Sequence, residues 1–205
     1  MRYFLPAIAF VFFLSCRENE KPAASKAENN DSSLAIRTPV PNPYSEVDVS
    51  PMDMSYFPID YPKLKMDERI SSPPVMRVIY SRPHKGGRKI FGGILKYGAY
   101  WRLGANEGTE IEFFRGVTIQ GKKINAGRYS IYCYPQETKW TIVLNNNLYS
   151  WGLKADTTKE VSRFEIPIKN IPPLEYFSVV FQPTAEGANL VMAWDNVEAK
   201  LPISF

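Results

Sequence analysis

The chain has 205 residues, of which 44% are hydrophobic and 14% aromatic, and its formal charge is +4. This is enough apolar material for one ordinary domain with appendages, and it excludes a chain disordered throughout. The basic surplus is small and Lys and Arg alternate with Asp and Glu almost everywhere, so no concentrated basic face points to nucleic acid as a partner.

In chain order, Met1-Arg2 is a short positive start and Tyr3 to Leu14 an apolar run. The run is too short to span a bilayer, which takes roughly 20 apolar residues. Ser15-Cys16 follows, and then the charged Arg17-Glu18-Asn19-Glu20. Residues 1–15 therefore read as a lipoprotein signal peptide and Cys16 as the lipidation site, because only a thiol there accepts the diacylglycerol. The alternative is a plain secretion signal with an incidental cysteine. Acyl chains such as palmitate contribute about 0.8 kcal/mol per buried methylene, enough together to anchor the chain. The expected location is the cell envelope of a gram-negative bacterium, lipid-anchored, with the outer membrane as destination. The lipid on Cys16 makes the membrane a partner.

Residues 16–49 are rich in Lys, Glu, Ala, Asn, Ser and Pro without an apolar period, and read as a disordered tether. Residues 50–73 change character. Pro51, Pro58 and Pro62 argue against a regular central strand or helix, yet Met52, Met54, Tyr56, Phe57, Ile59 and Tyr61 are too apolar for a free linker. The expectation is an extended segment docked on the domain, or alternatively a peptide that recruits an envelope protein.

Over 74–205 the hydrophobic period is two. Candidate strands run over 75–80, 109–114, 117–119, 127–134, 139–144, 161–168, 174–182, 188–194 and 197–203, separated by Gly, Pro and Asn turns. About nine short strands predict an all-β fold, a single β-sandwich or jelly-roll-like barrel. No stretch has helical amphipathicity beyond one possible turn over 155–160. Cys133 shares a face with Tyr129 and Ile131 and reads as a small buried hydrophobe; with Cys16 lipidated it has no disulfide partner.

The stretch from Tyr80 to Glu107 concentrates the polar interest. It carries Arg82, His84, Gly86-Gly87, Arg88, Gly92-Gly93 and Trp101-Arg102, then Asn106-Glu107. Its glycines lack the strand–GxxxxGK[ST]–helix context of a phosphate loop and instead permit tight turns. The arginines offer planar forks of donors that fit carboxylate, phosphate, sulfate or a sugar diol. Arg82, Arg88 and Arg102 are candidate ligand-binding residues, with Trp101 as a stacking floor and Asn106 and Glu107 as polar readers. The competing reading has the arginines paired with Glu107, Glu110, Glu112 or loop carbonyls, stapling loops to the sheets.

The strings Tyr80-Ser81-Arg82-Pro83, Gly87-Arg88-Lys89-Ile90-Phe91-Gly92 and Trp101-Arg102-Leu103-Gly104-Ala105-Asn106-Glu107 together resemble a known family. So do Ala126-Gly127-Arg128-Tyr129-Ser130, Trp140-Thr141-Ile142-Val143-Leu144-Asn145 and Trp194-Asp195. The family is the domain of unknown function 2911, found in exported proteins and lipoproteins of gram-negative bacteria. The resemblance runs from about Ser50 to Phe205 and implies a compact, β-rich exported domain; it brings no activity, substrate or catalytic residue. Leu153-Lys154-Ala155-Asp156 departs from it where such proteins place aromatic residues.

Catalytic sets are incomplete. His84 is the single histidine, and Ser81 lies three residues away on a proline-punctuated turn, which is poor geometry for a Ser-His pair. The same count, with two cysteines, leaves no metal site, and no cofactor is expected. A carboxylate pair of Glu107 with Glu110 or Glu112 is the one enzymatic alternative, a hydrolase acting on envelope glycans. The leading expectation is a membrane-anchored lipoprotein whose non-catalytic domain binds a small polar or anionic ligand, or an envelope partner.

Overall fold

The computed structural model describes Tyr44, Glu46 and residues 48–205. The expected signal peptide over 1–15, Cys16 and nearly all of the expected tether over 16–49 lie outside the described residues. Nine strands are present among the described residues. They are β1 (Met52–Phe57), β2 (Met76–Ser81), β3 (Glu110–Phe113), β4 (Val117–Ile119), β5 (Lys122–Ile124), β6 (Gly127–Pro135), β7 (Lys139–Asn145), β8 (Glu160–Thr184) and β9 (Gly187–Ser204). A short helix, α1 (Tyr61–Met66), and one turn of 3-10 helix over Thr157–Lys159 complete the elements.

All pairings are antiparallel and form one open sheet in the order β1-β2-β3-β6-β7-β8-β9-β4-β5. The sheet doubles back through β8. Residues 160–167 of β8 pair with β7, and the rest, from Ile168, pairs with β9. Register shifts fall between Asn170 and Leu174 and between Leu174 and Ser178. Pro172 and Pro173 sit there and withhold the amide donors that a regular ladder needs. Beyond the bulges Phe177 meets Tyr80 of β2 edge-on, with ring centroids 5.8 Å apart, and Phe181 meets Phe57 of β1 at 6.3 Å. The Ser55 hydroxyl of β1 donates to the Val179 carbonyl at 2.7 Å. The two halves of the sheet thus enclose one apolar core, to which Cys133, Trp140 and Ile142 contribute with no exposed surface.

The all-β expectation holds, with two differences of element. The strands predicted over 161–168 and 174–182 are one bent strand, and those over 188–194 and 197–203 are likewise one. Pairing resumes on the far side of each irregularity, so hydrogen bonding continues where the hydrophobic pattern breaks.

The second difference concerns 50–73. Its prolines bound regular elements rather than preventing them. Pro51 precedes β1 and Pro58 follows it, while Pro62 lies in the first turn of α1, where a missing N–H leaves no bond unmade. β1 is an edge strand paired with β2 from Met52↔Ser81 to Phe57↔Met76. No helix of the described residues is long and apolar enough to cross a membrane.

Candidate functional site

Two loops build the site, and each is fixed by backbone hydrogen bonds before any side chain acts. After β2 the chain crosses to the bent part of β8. Arg82 N–H donates to the Pro51 carbonyl (3.0 Å), Lys85 N–H to that of Glu175 (2.7 Å) and Phe177 N–H to that of Pro83 (3.0 Å). The following residues form a plug. Ile90 and Phe91 are buried, and the N–H groups of Gly93 and Leu95 return to the Ile90 carbonyl at 3.2 and 2.9 Å. A Cβ on Gly93 would lie 2.2 Å from the Lys89 carbonyl oxygen, so this turn requires glycine. Asp195 of β9 locks the plug from below. Buried, it accepts from Lys85 Nζ at 2.5 Å and from Ile90 N–H at 3.3 Å.

The second loop runs beside β6, where Trp101 and Cys133 exchange two backbone hydrogen bonds of 2.8 Å each. This strand-like pairing turns Trp101 into the core, 4% exposed, with ring centroids 5.6 Å from Trp140 and 5.0 Å from Phe177. Its indole N–H donates to the Gly104 carbonyl at 3.2 Å. Alternation places Tyr100 and Arg102 on the opposite side. Burial raises the Tyr100 phenol above its ordinary pKa, with the Arg102 charge pulling the other way. Arg102 Nη1 donates to the Trp151 carbonyl at 3.2 Å. Gly152, with φ +75°, lets that segment approach, since a Cβ there would stand 3.0 Å from Arg102 Cδ.

Together with Val49, Ser50 and Trp194 these loops surround a cleft of about 590 Å³. Arg88 and Arg102 both line it, and among the described residues neither has a carboxylate partner. Arg88 donates to the carbonyls of Lys85 and His84, at 2.7 and 2.5 Å, and Arg102 to that of Trp151. His84 also lines the cleft, with Nδ1 3.7 Å from a Glu175 oxygen that accepts Gly86 N–H at 2.7 Å. Among the described residues no Asp or Glu lines it.

Three of the six residues singled out from sequence, Arg88, Trp101 and Arg102, therefore meet at one cleft. Trp101 does so as part of the core cluster and not as an open stacking floor, because the Cys133 pairing points its ring inward. Arg82 is a staple: its guanidinium donates to Asp53 (3.1 Å), the Phe177 carbonyl (3.3 Å) and Ser178 (3.3 Å), joining β1 to β8. Asn106 binds the Asp48 carboxylate and the Ser50 carbonyl, which pins the chain where it enters the domain. Glu107 lines a different, smaller cleft of about 360 Å³ with Glu110, Tyr149 and Trp151.

The carboxylate pair gains little from this second cleft. Glu110 already accepts from Arg128 (3.4 Å) and from Tyr149 N–H (3.3 Å), and Glu112 is bound to Arg77 at 2.7 Å. Among the described residues no group of three or more His, Cys, Asp and Glu side chains could hold a metal ion. Sequence reasoning missed Tyr100, Ile94 and Trp194 as cleft walls and the Lys85–Asp195 pair beneath it. Leu153, noted as a departure from the family pattern, does line the cleft.

The family model described as Protein of unknown function (DUF2911) matches residues 62–203, which begins inside α1 and leaves β1 outside. No curated protein and no solved structure matches the chain.

Proposed function

Since the chain belongs to the family described as Protein of unknown function (DUF2911), we propose its function from the site alone: a non-catalytic domain that captures a small anionic ligand in the cleft between the 83–95 and 100–105 loops. The observation that supports this is the pair of arginines, Arg88 and Arg102, that face one cleft with donors committed only to backbone carbonyls. A guanidinium has five N–H donors, so each retains capacity for an oxyanion, and a cleft without acidic walls favours negative charge. Thermal-shift titration of the protein with phosphate, sulfate, citrate, glucuronate and glucose tests it. An anion should raise the melting temperature where glucose does not, and R88Q or R102Q should weaken that anion's binding about tenfold or more. No shift with any anion, or shifts that survive both substitutions, would sink the proposal.

The same reading makes the protein a lipoprotein of the gram-negative envelope, at the outer membrane, supported by the Ser15-Cys16 sequence behind a short apolar run. In cells fed labelled palmitate the wild type should take up label and partition into detergent. Cys16→Ser should do neither, and label retained by that variant would remove the anchor from the proposal.

A further inference from the structure

The cleft's walls are not those of a site for an inorganic oxyanion. Beside Arg88 and Arg102 stand two large aliphatic side chains at the mouth, Ile94 at 50% exposure and Leu153 at 69%. Leu95 and Tyr100 continue the wall inward, and the buried Trp194 backs it from the core. Ile94 and Leu153 would each lose water-facing surface if an apolar body lay against them. A volume of about 590 Å³ is also that of an organic-ligand pocket, which typically spans about 300–1,000 Å³. Arg88 and Ile94 come from the loop after β2, Ile94 within its plug, while Leu153 follows Trp151, whose carbonyl Arg102 holds.

We propose that the ligand is an amphipathic organic anion, a carboxylate (or comparable acid) carrying an aliphatic or aromatic body, with the acid on Arg88 and Arg102 and the body along Ile94, Leu153 and Tyr100. This rests on the anion-binding reading above and specifies the class of molecule. Arg88 and Arg102 select the charge, and the apolar wall sets the affinity. Each methylene laid on that wall should raise affinity by roughly two- to fourfold until the cleft is filled. An uncharged analogue of equal length keeps the apolar contact and loses the acid contact.

Calorimetric titration of the full chain with acetate, butanoate, hexanoate and octanoate, with phenylacetate, with hexanol and with inorganic phosphate reads all of this. Affinity is expected to climb from acetate to octanoate, and hexanol should bind at least tenfold more weakly than hexanoate. In I94S and L153S, both at exposed positions and therefore compatible with folding, the chain-length gain should flatten while acetate and phosphate binding stays unchanged. R88Q and R102Q should bring hexanoate down toward hexanol. If phosphate and acetate bind as tightly as octanoate, and I94S and L153S change nothing, the amphipathic class is wrong while the anion site stands. If no acid of any kind binds the wild type, both are wrong. Wild-type melting temperatures retained by the variants show that the readout is binding and not folding.

Discussion

Arg82 and Arg102 are the same residue type on neighbouring segments, and their partners separate their roles. The Arg82 guanidinium bonds to an aspartate, a carbonyl and a hydroxyl drawn from β1 and β8. Its side chain is more than a third exposed, so the charge itself is partly screened and the geometry matters more. Arg82→Ala should lower stability by about 1–2 kcal/mol, visible as a lower urea midpoint, and leave anion affinity in the cleft unchanged. Arg102→Gln should do the reverse. A loss of affinity in the Arg82 variant at unchanged stability would mean that the roles are assigned the wrong way round. No sequence pattern distinguishes the two arginines, because the partners of Arg82 lie 29, 95 and 96 residues away along the chain.

Among the elements, β6, β7 and β8 are joined on their outer side by a polar knot. The Tyr132 hydroxyl donates to Glu160 at 2.7 Å, Asn145 Nδ2 reaches the same hydroxyl at 3.4 Å, and Arg163 binds both Glu160 oxygens at 2.7 Å. The Arg163 hydrogen bonds, with help from Tyr132, hold the Glu160 carboxyl below its ordinary range against the opposing effect of burial. A carboxylate whose folded pKa is depressed contributes stability that is present above its unfolded value and lost as pH falls through the folded one. Wild-type stability should therefore decline on acidification below the usual carboxylate range. E160Q should show less of that decline and cost about 1 kcal/mol at neutral pH. Urea midpoints between pH 7 and pH 3 check this; parallel curves for the two proteins would refute it. Tyr132 acts at the other limb: burial, then its bond to Glu160, pushes its phenol well up, so its share is present below the ordinary phenol range and lost as pH rises through the folded value. Of the strands that carry this knot, β6 and β7 were legible from alternation alone, and so were β2, β3 and β4. β8 and β9 were not legible as single strands, because Pro172-Pro173 and Asp195 interrupt a period-two pattern without ending the ladder. The cleft was legible only through its arginines. Its exposed apolar wall comes from Ile94 and Leu153, which alternation assigns to loops.

For the molecule as a whole, the question is what the smallest folded unit is. The family match begins at residue 62, but the sheet begins ten residues earlier. β1 covers β2 over six paired residues, and Phe57 packs on Phe181 and on Phe205, whose ring lies 5.3 Å away. Asp53 also holds Arg82, and Val49 and Ser50 line the cleft. A chain starting at residue 62 would uncover the edge of β2 together with two aromatic rings, an arrangement that pairs readily with other chains. Losing the Phe57 contacts alone should cost about 1–2 kcal/mol, since the ring is half-buried. That chain should accumulate as aggregate or unfold at a much lower urea concentration, whereas a chain starting at Asp48 should match the full-length protein in midpoint and retain the cleft. If the two truncations unfold alike, β1 is an accessory, the domain is the matched region, and the docking of residues 50–73 has no structural weight. If only the longer one folds, the edge strand belongs to the domain. The chain from Asp48 onward would then both complete the sheet and shape the site.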